Sequence, residues 1–404
     1  MRVPPRWVRR LILAPLVVLL AIVVVAGSPL WLLIALIFTS LVPGFLRLPR
    51  IILLLIVYVV WDAALLVTMF VLWCASGFGW KIRTHRSITH HYVVGQKALN
   101  ILFTIFRVVL RLKVTTKGDD GEDIEQSLQA FNEKFALGTP LVVASRHGGP
   151  GDSIVIMQVL LTQLSREPRI VLKDTIQWDP ALDVLLSRVP ARFITPTGFA
   201  RKPAGGGSVV EQEIGSLADG LDENDALVIF PEGGQVTDKR RVSRTKRLFE
   251  QGHLTLAQRA AQFRHVMPPQ PRGLFAALES APNADVVFLG HTGLDKFTTI
   301  KDIWRQLPMD KELTMRAWRV PRNEIPTVRD EQATWLFNWF EEIDRWIARN
   351  NTTDATGAKT TDASETMEAE ATDVTDSSEA SDSNQPSATD EAMGQPETGN
   401  EKGA

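Results

Sequence analysis

Two apolar stretches near the N-terminus constrain this chain more than any other feature: LILAPLVVLLAIVVVAGSPLWLLIALIFTSLVPGF (11–45) and IILLLIVYVVWDAALLVTMFVLWCASGFG (51–79). Each exceeds the ~20 residues a helix needs to cross a hydrocarbon layer, so the chain is expected to be integral to a membrane. A cleaved signal peptide would also begin with basic residues such as Arg2, Arg6, Arg9 and Arg10, but the apolar run continues far past the small residues at Ala26–Ser28. The Gly27-Ser28-Pro29 break leaves three forms open for 11–45: one kinked span, a re-entrant hairpin or two short helices. Basic residues precede the first stretch and follow the second (Lys81, Arg83, Arg86), with only Arg47 and Arg50 between. That pattern favours an N-in, C-in arrangement in the cell membrane, with the rest of the chain on the cytoplasmic side.

Charge divides the chain as sharply as hydropathy does. Residues 351–404 hold 13 Asp and Glu against 2 Lys, a net of −11, which leaves +9 on residues 1–350 within a whole-chain charge of −2. The acidic tail has almost no large apolar residue with which to offset ordering entropy, and it is expected to be disordered. A lone cysteine, Cys74, excludes a disulfide framework and a cysteine-rich metal site. Between membrane segments and tail, YVVGQKALNILFTIFRVVLRLKV (92–114) carries polar residues every three or four positions. It reads either as a basic amphipathic helix at the membrane interface or as a core helix with one wet face.

Downstream, apolar strand-like runs alternate with helical patterns. The strand candidates are 140–145, 169–173, 192–195, 226–230, 285–290 and 313–320, and the longest helical pattern between them is SIVIMQVLLTQLSR (153–166). The alternation predicts an α/β fold, a mixed and largely parallel sheet flanked by helices and preceded by N-terminal transmembrane helices, with its site beyond the strand C-termini. The expected organisation is therefore a transmembrane region over 1–80, an interfacial helix and linker over 81–114, a catalytic domain over 115–350 and a tail over 351–404.

The segment SRHGGPGDS (145–153) follows the first of these strands. A serine hydrolase would need a G-x-S-x-G elbow, and the two sites that begin one, Gly151-Asp152-Ser153 and Gly206-Gly207-Ser208, end in Val155 and Val210. The seven histidines show no H-E-x-x-H and no zinc-like spacing, so no metal is expected. What remains is general-base catalysis. His147 follows a strand and Asp152 opens a helix, and the small residues between them let the carboxylate fold back onto the imidazole, fixing its tautomer. The plainer alternative makes Asp152 an ordinary N-cap beside a loop histidine. The basic run DKRRVSRTKR (238–247), six cations in ten residues, suits anionic headgroups or a donor's phosphates, or else a solvated face.

His147-x4-Asp152 followed about 80 residues later by Phe230-Pro231-Glu232-Gly233 resembles the glycerolipid acyltransferases, the family that includes 1-acylglycerol-3-phosphate acyltransferase. VMPPQPRGL (266–274) and DIWRQLPMDKELTMRAWRVPRNEIP (302–326) resemble the lysocardiolipin-type branch, and the likeness covers roughly residues 90–350. The resemblance implies the fold of that family, His147 as general base, Asp152 as its orienter, and the Phe230–Gly233 segment as part of the acceptor site. It also implies a phosphate-binding arginine, for which Arg201 in GFAR (198–201) stands at a suitable spacing, with Lys173 and Arg192 as further cations. Backbone N–H groups of the loop Gly148, Gly149 and Gly151 would stabilise the oxyanion. The sequence departs from the family pattern at Arg146 (usually Asn), at Gly149-Pro150 and at Gly234 (usually Thr).

The implied activity is transfer of a fatty acyl group from acyl-CoA or acyl-carrier protein to the free hydroxyl of a lysophospholipid, foremost 1-acylglycerol-3-phosphate giving phosphatidic acid. No cofactor, metal or nucleic-acid partner is expected. The alternatives are a different lysophospholipid acceptor, or a non-catalytic lipid-binding protein on the same scaffold.

Overall fold

The computed structural model describes residues 3–42, 44–117, 124–149, 151–194, 209–293, 304–305, 307 and 310–370. The chain divides into two units, 1–353 and 354–404, and the fold described here is that of the first. Its membrane-type helices come first: α1 (Arg6–Leu41), α2 (Arg47–Ala75) and α3 (His85–Leu110), all three long and apolar enough to cross a membrane by length and composition. Residues 11–41 thus lie in one continuous helix, with Pro29 inside it. Of the three forms open to 11–45, the structure adopts the single helix up to Leu41. Most of the large side chains of α1, such as Leu16, Ile22, Val23 and Trp31, are exposed, as a helix facing lipid would have them.

α1 and α2 form an antiparallel pair, and α2 is fastened to the rest of the unit along much of its length. Arg47 Nε donates to Leu307 O at 3.0 Å, Trp61 Nε1 to Ala98 O at 2.8 Å, and Arg188 Nη1 to Met69 O at 2.8 Å. Between Arg47 and Met69 a helix advances ~33 Å. At the start of α1, Arg9 forms a buried ion pair of 3.2 Å with Asp183.

Helix α3 ends at Arg111, whose left-handed backbone (φ 55°) turns the chain into strand β1 (Leu112–Thr116). The helix expected to run to 114 therefore stops earlier. The left-handed turn costs ~1 kcal/mol for a residue with a Cβ, and here the Arg111 guanidinium lies 5.3 Å over the Phe45 ring and 3.4 Å from Asp310. Exposed Val93, Ile101 and Val108 on α3 face outward, while buried Tyr92, Gly95 and Leu102 face the protein.

The α/β part follows as α4 (Ile124–Glu133), β2 (Leu141–Ser145), α5 (Asp152–Gln163), β3 (Glu167–Lys173), α6 (Pro180–Leu186), β4 (Ala191–Ile194) and α7 (Val209–Ala218). It continues as β5 (Asp225–Ile229), α8 (Asp238–Glu250), α9 (Leu254–Gln262), α10 (Pro271–Ser280), β6 (Asp285–Thr292), β7 (Lys311–Val320) and α11 (Arg329–Glu370). The seven strands form one sheet in the order β1-β7-β6-β2-β5-β3-β4. All neighbours are parallel except β6 and β7, the mixed and mostly parallel α/β sheet that the alternation predicted.

Central strands are apolar on both faces, which is why they read as continuous hydrophobic runs. Val142, Ala144, Leu227, Ile229, Val286 and Phe288 pack under α7, α9, α10 and α11. Their alternates Leu141, Val143, Ala226, Val228, Val287 and Leu289 pack under α4 and α5. On α11 the core residues Leu336, Phe340, Ile343 and Ile347 recur at helical spacing, each fully buried and each contributing ~2 kcal/mol. α11 continues past residue 350, and residues 371–404 lie outside the described residues.

Candidate active site

β2, β5 and β3 are adjacent and parallel, so the loops that leave their C-terminal ends converge. β2 delivers His147, β5 delivers Phe230–Gly234, and β3 delivers Lys173. α5 begins immediately at Asp152, and its first turn aims that carboxylate back at the loop. Asp152 Oδ2 lies 3.2 Å from His147 Nδ1 and accepts the Gly149 N–H at 3.1 Å, while Oδ1 accepts the Ser153 N–H at 3.1 Å. Asp152 is no mere N-cap: the same carboxylate that closes the loop also holds the imidazole. Burial alone would raise its pKa, but the hydrogen bonds from His147 and His291 override it and hold the carboxyl well below the usual carboxylate range. Asp152 is thus anionic, His147 carries its proton on Nδ1, and Nε2 is left to the cavity that His147 lines.

That cavity measures about 400 Å³. His147, Asp152, Phe230 and Lys173 stand on its wall beside an apolar lining that includes Ile170, Leu172, Val210, Ile214 and Leu274. The Phe230 ring stacks obliquely on His147, 4.5 Å between centroids. Of the other residues anticipated from the sequence, Pro231, Gly233, Gly149 and Gly151 also line the cavity. Gly148 is buried in the loop. Arg192 instead pairs with Glu213 at 3.3 Å on the surface. Arg201 lies outside the described residues. The Gly149 N–H, expected to face an oxyanion, is taken by Asp152, because a five-residue return from His147 brings that amide under the carboxylate.

Glu232 is fully buried and turned away from the cavity, beneath the His147 loop. Its Oε1 accepts the His147 N–H at 3.5 Å, and its Oε2 has no partner among the described residues. Burial, opposed by attraction to Arg146 and by the bond from His147 N, pushes its pKa up to about 8. Arg146 and Arg244 stand near enough to attract the carboxylate. Arg244 reaches from α8 to the Glu232 carbonyl and to Pro268 O (3.1 Å), and the left-handed Gly233 (φ 62°) makes that turn. Arg240 and Arg241 bond Gln235 O and Arg264 O at the surface, so half of the basic run is engaged with backbone carbonyls.

Arg146, where the family pattern has Asn, is equally structural. It donates to His265 O at 2.9 and 3.1 Å and to His291 O at 2.7 Å, tying the end of β2 to β6 and to the 264–266 loop. Asp344 of α11 holds that loop in turn through the N–H groups of Arg264, His265 and Val266. Two further residues belong to the site without having been anticipated. Arg272, in the first turn of α10, lines the cavity, and buried His291 on β6 meets Asp152 from behind. Among the described residues no cluster of His, Cys, Asp or Glu is suited to a metal ion.

His147, the carboxylate that fixes it and a largely apolar cavity make up the site, with Lys173 and Arg272 on the wall and Glu211 3.9 Å from Arg272. Residues 124–270 match the Acyltransferase family model. The matched segment runs from α4 to the residue before α10 and contains His147, Asp152, Phe230–Gly233 and strands β2 to β5. It supports an acyltransferase enzyme with an acyl donor and an acceptor as substrates. No curated protein matches the chain.

Proposed function

We propose that this acyltransferase moves a fatty acyl group from a coenzyme A or acyl-carrier-protein thioester to the free hydroxyl of a lysophospholipid, foremost 1-acylglycerol-3-phosphate. The observation that carries the reading is the His147–Asp152 pair at 3.2 Å on the wall of an apolar cavity. His147 Nε2 takes the acceptor's hydroxyl proton as the oxygen bonds to the thioester carbonyl carbon. Asp152 stabilises the imidazolium without accepting its proton. The oxyanion is met by N–H groups of the loop other than Gly149, or by Lys173 or Arg272. Collapse breaks the C–S bond, the thiolate leaves with the proton held by His147, and the ester is complete. No cofactor enters the step.

The apolar lining suits the acyl chain, and Lys173 and Arg272 suit phosphate oxygens of acceptor or donor. With Glu232 buried, recognition of the acceptor headgroup falls to those two cations and to Arg201. Both ends of α1 bear on orientation. Arg9 at one end pairs with Asp183, and just past the other end Arg47 bonds Leu307 O. We therefore read α1 and α2 as a hairpin that enters the leaflet nearest the domain, with the N-terminus on the domain's cytoplasmic side and the exposed apolar face of α1 in lipid. The test of function is to offer the purified protein one labelled acyl thioester and a panel of lysophospholipids and to identify products by mass. Labelled phosphatidic acid is expected, and label in free fatty acid alone would overturn the reading.

A further inference from the structure

We propose that His291 is a positioning residue of the catalytic pair, a hydrogen-bond donor that holds Asp152 from the side opposite His147. The proposal rests on the reading of His147 as general base. His291 sits near the end of β6, the strand hydrogen-bonded to β2, and this register places it behind the β2 loop rather than in the cavity. Its Nε2 lies 3.1 Å from Arg146 O and 3.5 Å from Asp152 Oδ2. Both neighbours are acceptors, so Nε2 carries the proton. Its Nδ1 is buried and has no hydrogen-bond partner among the described residues. With acceptors at Nε2 and none at Nδ1, the ring donates through Nε2.

Asp152 Oδ2 thus accepts from His147 and Gly149, with the His291 N–H, shared with Arg146 O, 3.5 Å behind it. Gly149 and His291 pin the oxygen so that the ring of His147 has one place to go. A carboxylate hydrogen-bonded from behind is also a weaker base, so the proton taken by His147 stays on the imidazolium and is not passed to Asp152. His291 touches no substrate in this scheme. Its contribution runs through Asp152 alone, and it should appear in kcat rather than in the KM for acceptor.

The geometry of two substitutions separates this role from simple packing. In His291→Gln the amide nitrogen reaches the place of Nε2 and keeps the donor. In His291→Asn the amide stops at the place of Nδ1, so the site stays polar but the donor to Asp152 is gone. His291→Asn is expected to lower kcat by about ten- to a hundredfold, the span for losing a hydrogen bond to a charged group, with KM for lysophospholipid within about twofold of wild type. His291→Gln is expected to recover most of the loss. The ¹⁵N shifts of the His147 ring in the detergent-solubilised full chain provide a readout independent of turnover. They should report the Nδ1–H tautomer in wild type and His291→Gln and a mixture of tautomers in His291→Asn. Equal kcat for both variants together with an unchanged His147 tautomer in His291→Asn would overturn the proposal. Loss of turnover by Asn with the tautomer undisturbed would overturn it too. A wild-type protein that consumes no thioester would instead defeat the acyltransfer reading, and the tautomer comparison would still decide the role of His291.

Discussion

Replacing Glu232 by Gln tests the view that this carboxylate is a buried brace and not an acceptor ligand. A glutamate with an ordinary value of 4.5 in the unfolded chain and about 8 in the folded protein binds a proton on folding between those pH values. In that window the unfolded state holds fewer protons than the native state, so stability falls as pH rises, by about 1.4 kcal/mol per unit. The stability from the protonated form is fully present below 4.5 and lost by about pH 8. From pH 5 to pH 8 the loss is on the order of 4 kcal/mol, and at roughly 2 °C per kcal/mol it lowers Tm by about 8 °C. Glu232→Gln removes the titration, keeps an oxygen for the His147 N–H, and should flatten this dependence. Thermal melts of both proteins in the same detergent at pH 5, 6, 7 and 8 measure it, and the difference between the two curves cancels every other titrating group. The variant should also keep the wild-type KM for lysophospholipid within a few fold. Parallel melting curves, or a KM raised tenfold or more, would refute the reasoning and return Glu232 to the acceptor site.

Removing Arg9 from the buried Arg9–Asp183 pair leaves Asp183 only the longer 3.9 Å contact to Arg10, so Arg9→Met should cost about 3 kcal/mol and lower Tm by roughly 6 °C, while adding Asp183→Leu should recover most of it in the same melts. Ile214→Trp pushes an indole into the apolar cavity, and competition between long and short acyl thioesters should shift at least about tenfold toward the short one. In a Cys74→Ala background, a cysteine at Ser40 should not react with an impermeant thiol reagent applied outside intact cells, because the α1–α2 hairpin turns back without crossing; rapid labelling there would establish a crossing.

The strands were legible because a sheet covered on both faces needs uninterrupted apolar runs, and Val142, Leu227 and Val286 announce it. The His147–Asp152 pair was legible because its partners lie within one loop, where small residues permit the return. β1 was not, since Leu112–Thr116 continues the apolar pattern of α3 and only a left-handed Arg111 separates them. His291 and Arg272 were invisible for another reason. Their places are set by strand order and by the first turn of α10, long-range pairings that no local spacing encodes. Glu232 was found as a motif residue, but its direction depends on Arg146 and Arg244 enclosing it, and a one-dimensional pattern carries no inside or outside for a turn.

The central claim is that His147, held by Asp152, removes the proton from an acceptor hydroxyl during acyl transfer. Thiol release from a fatty acyl thioester, followed with and without lysophospholipid, tests it most directly when wild type, His147→Ala, Asp152→Asn and the double variant are compared. Wild type should release thiol only with acceptor present, His147→Ala should be slower by ~10²–10⁴-fold, and the double variant little slower than His147→Ala alone. Thiol release that ignores the acceptor, or an Asp152→Asn protein as fast as wild type, would contradict the account.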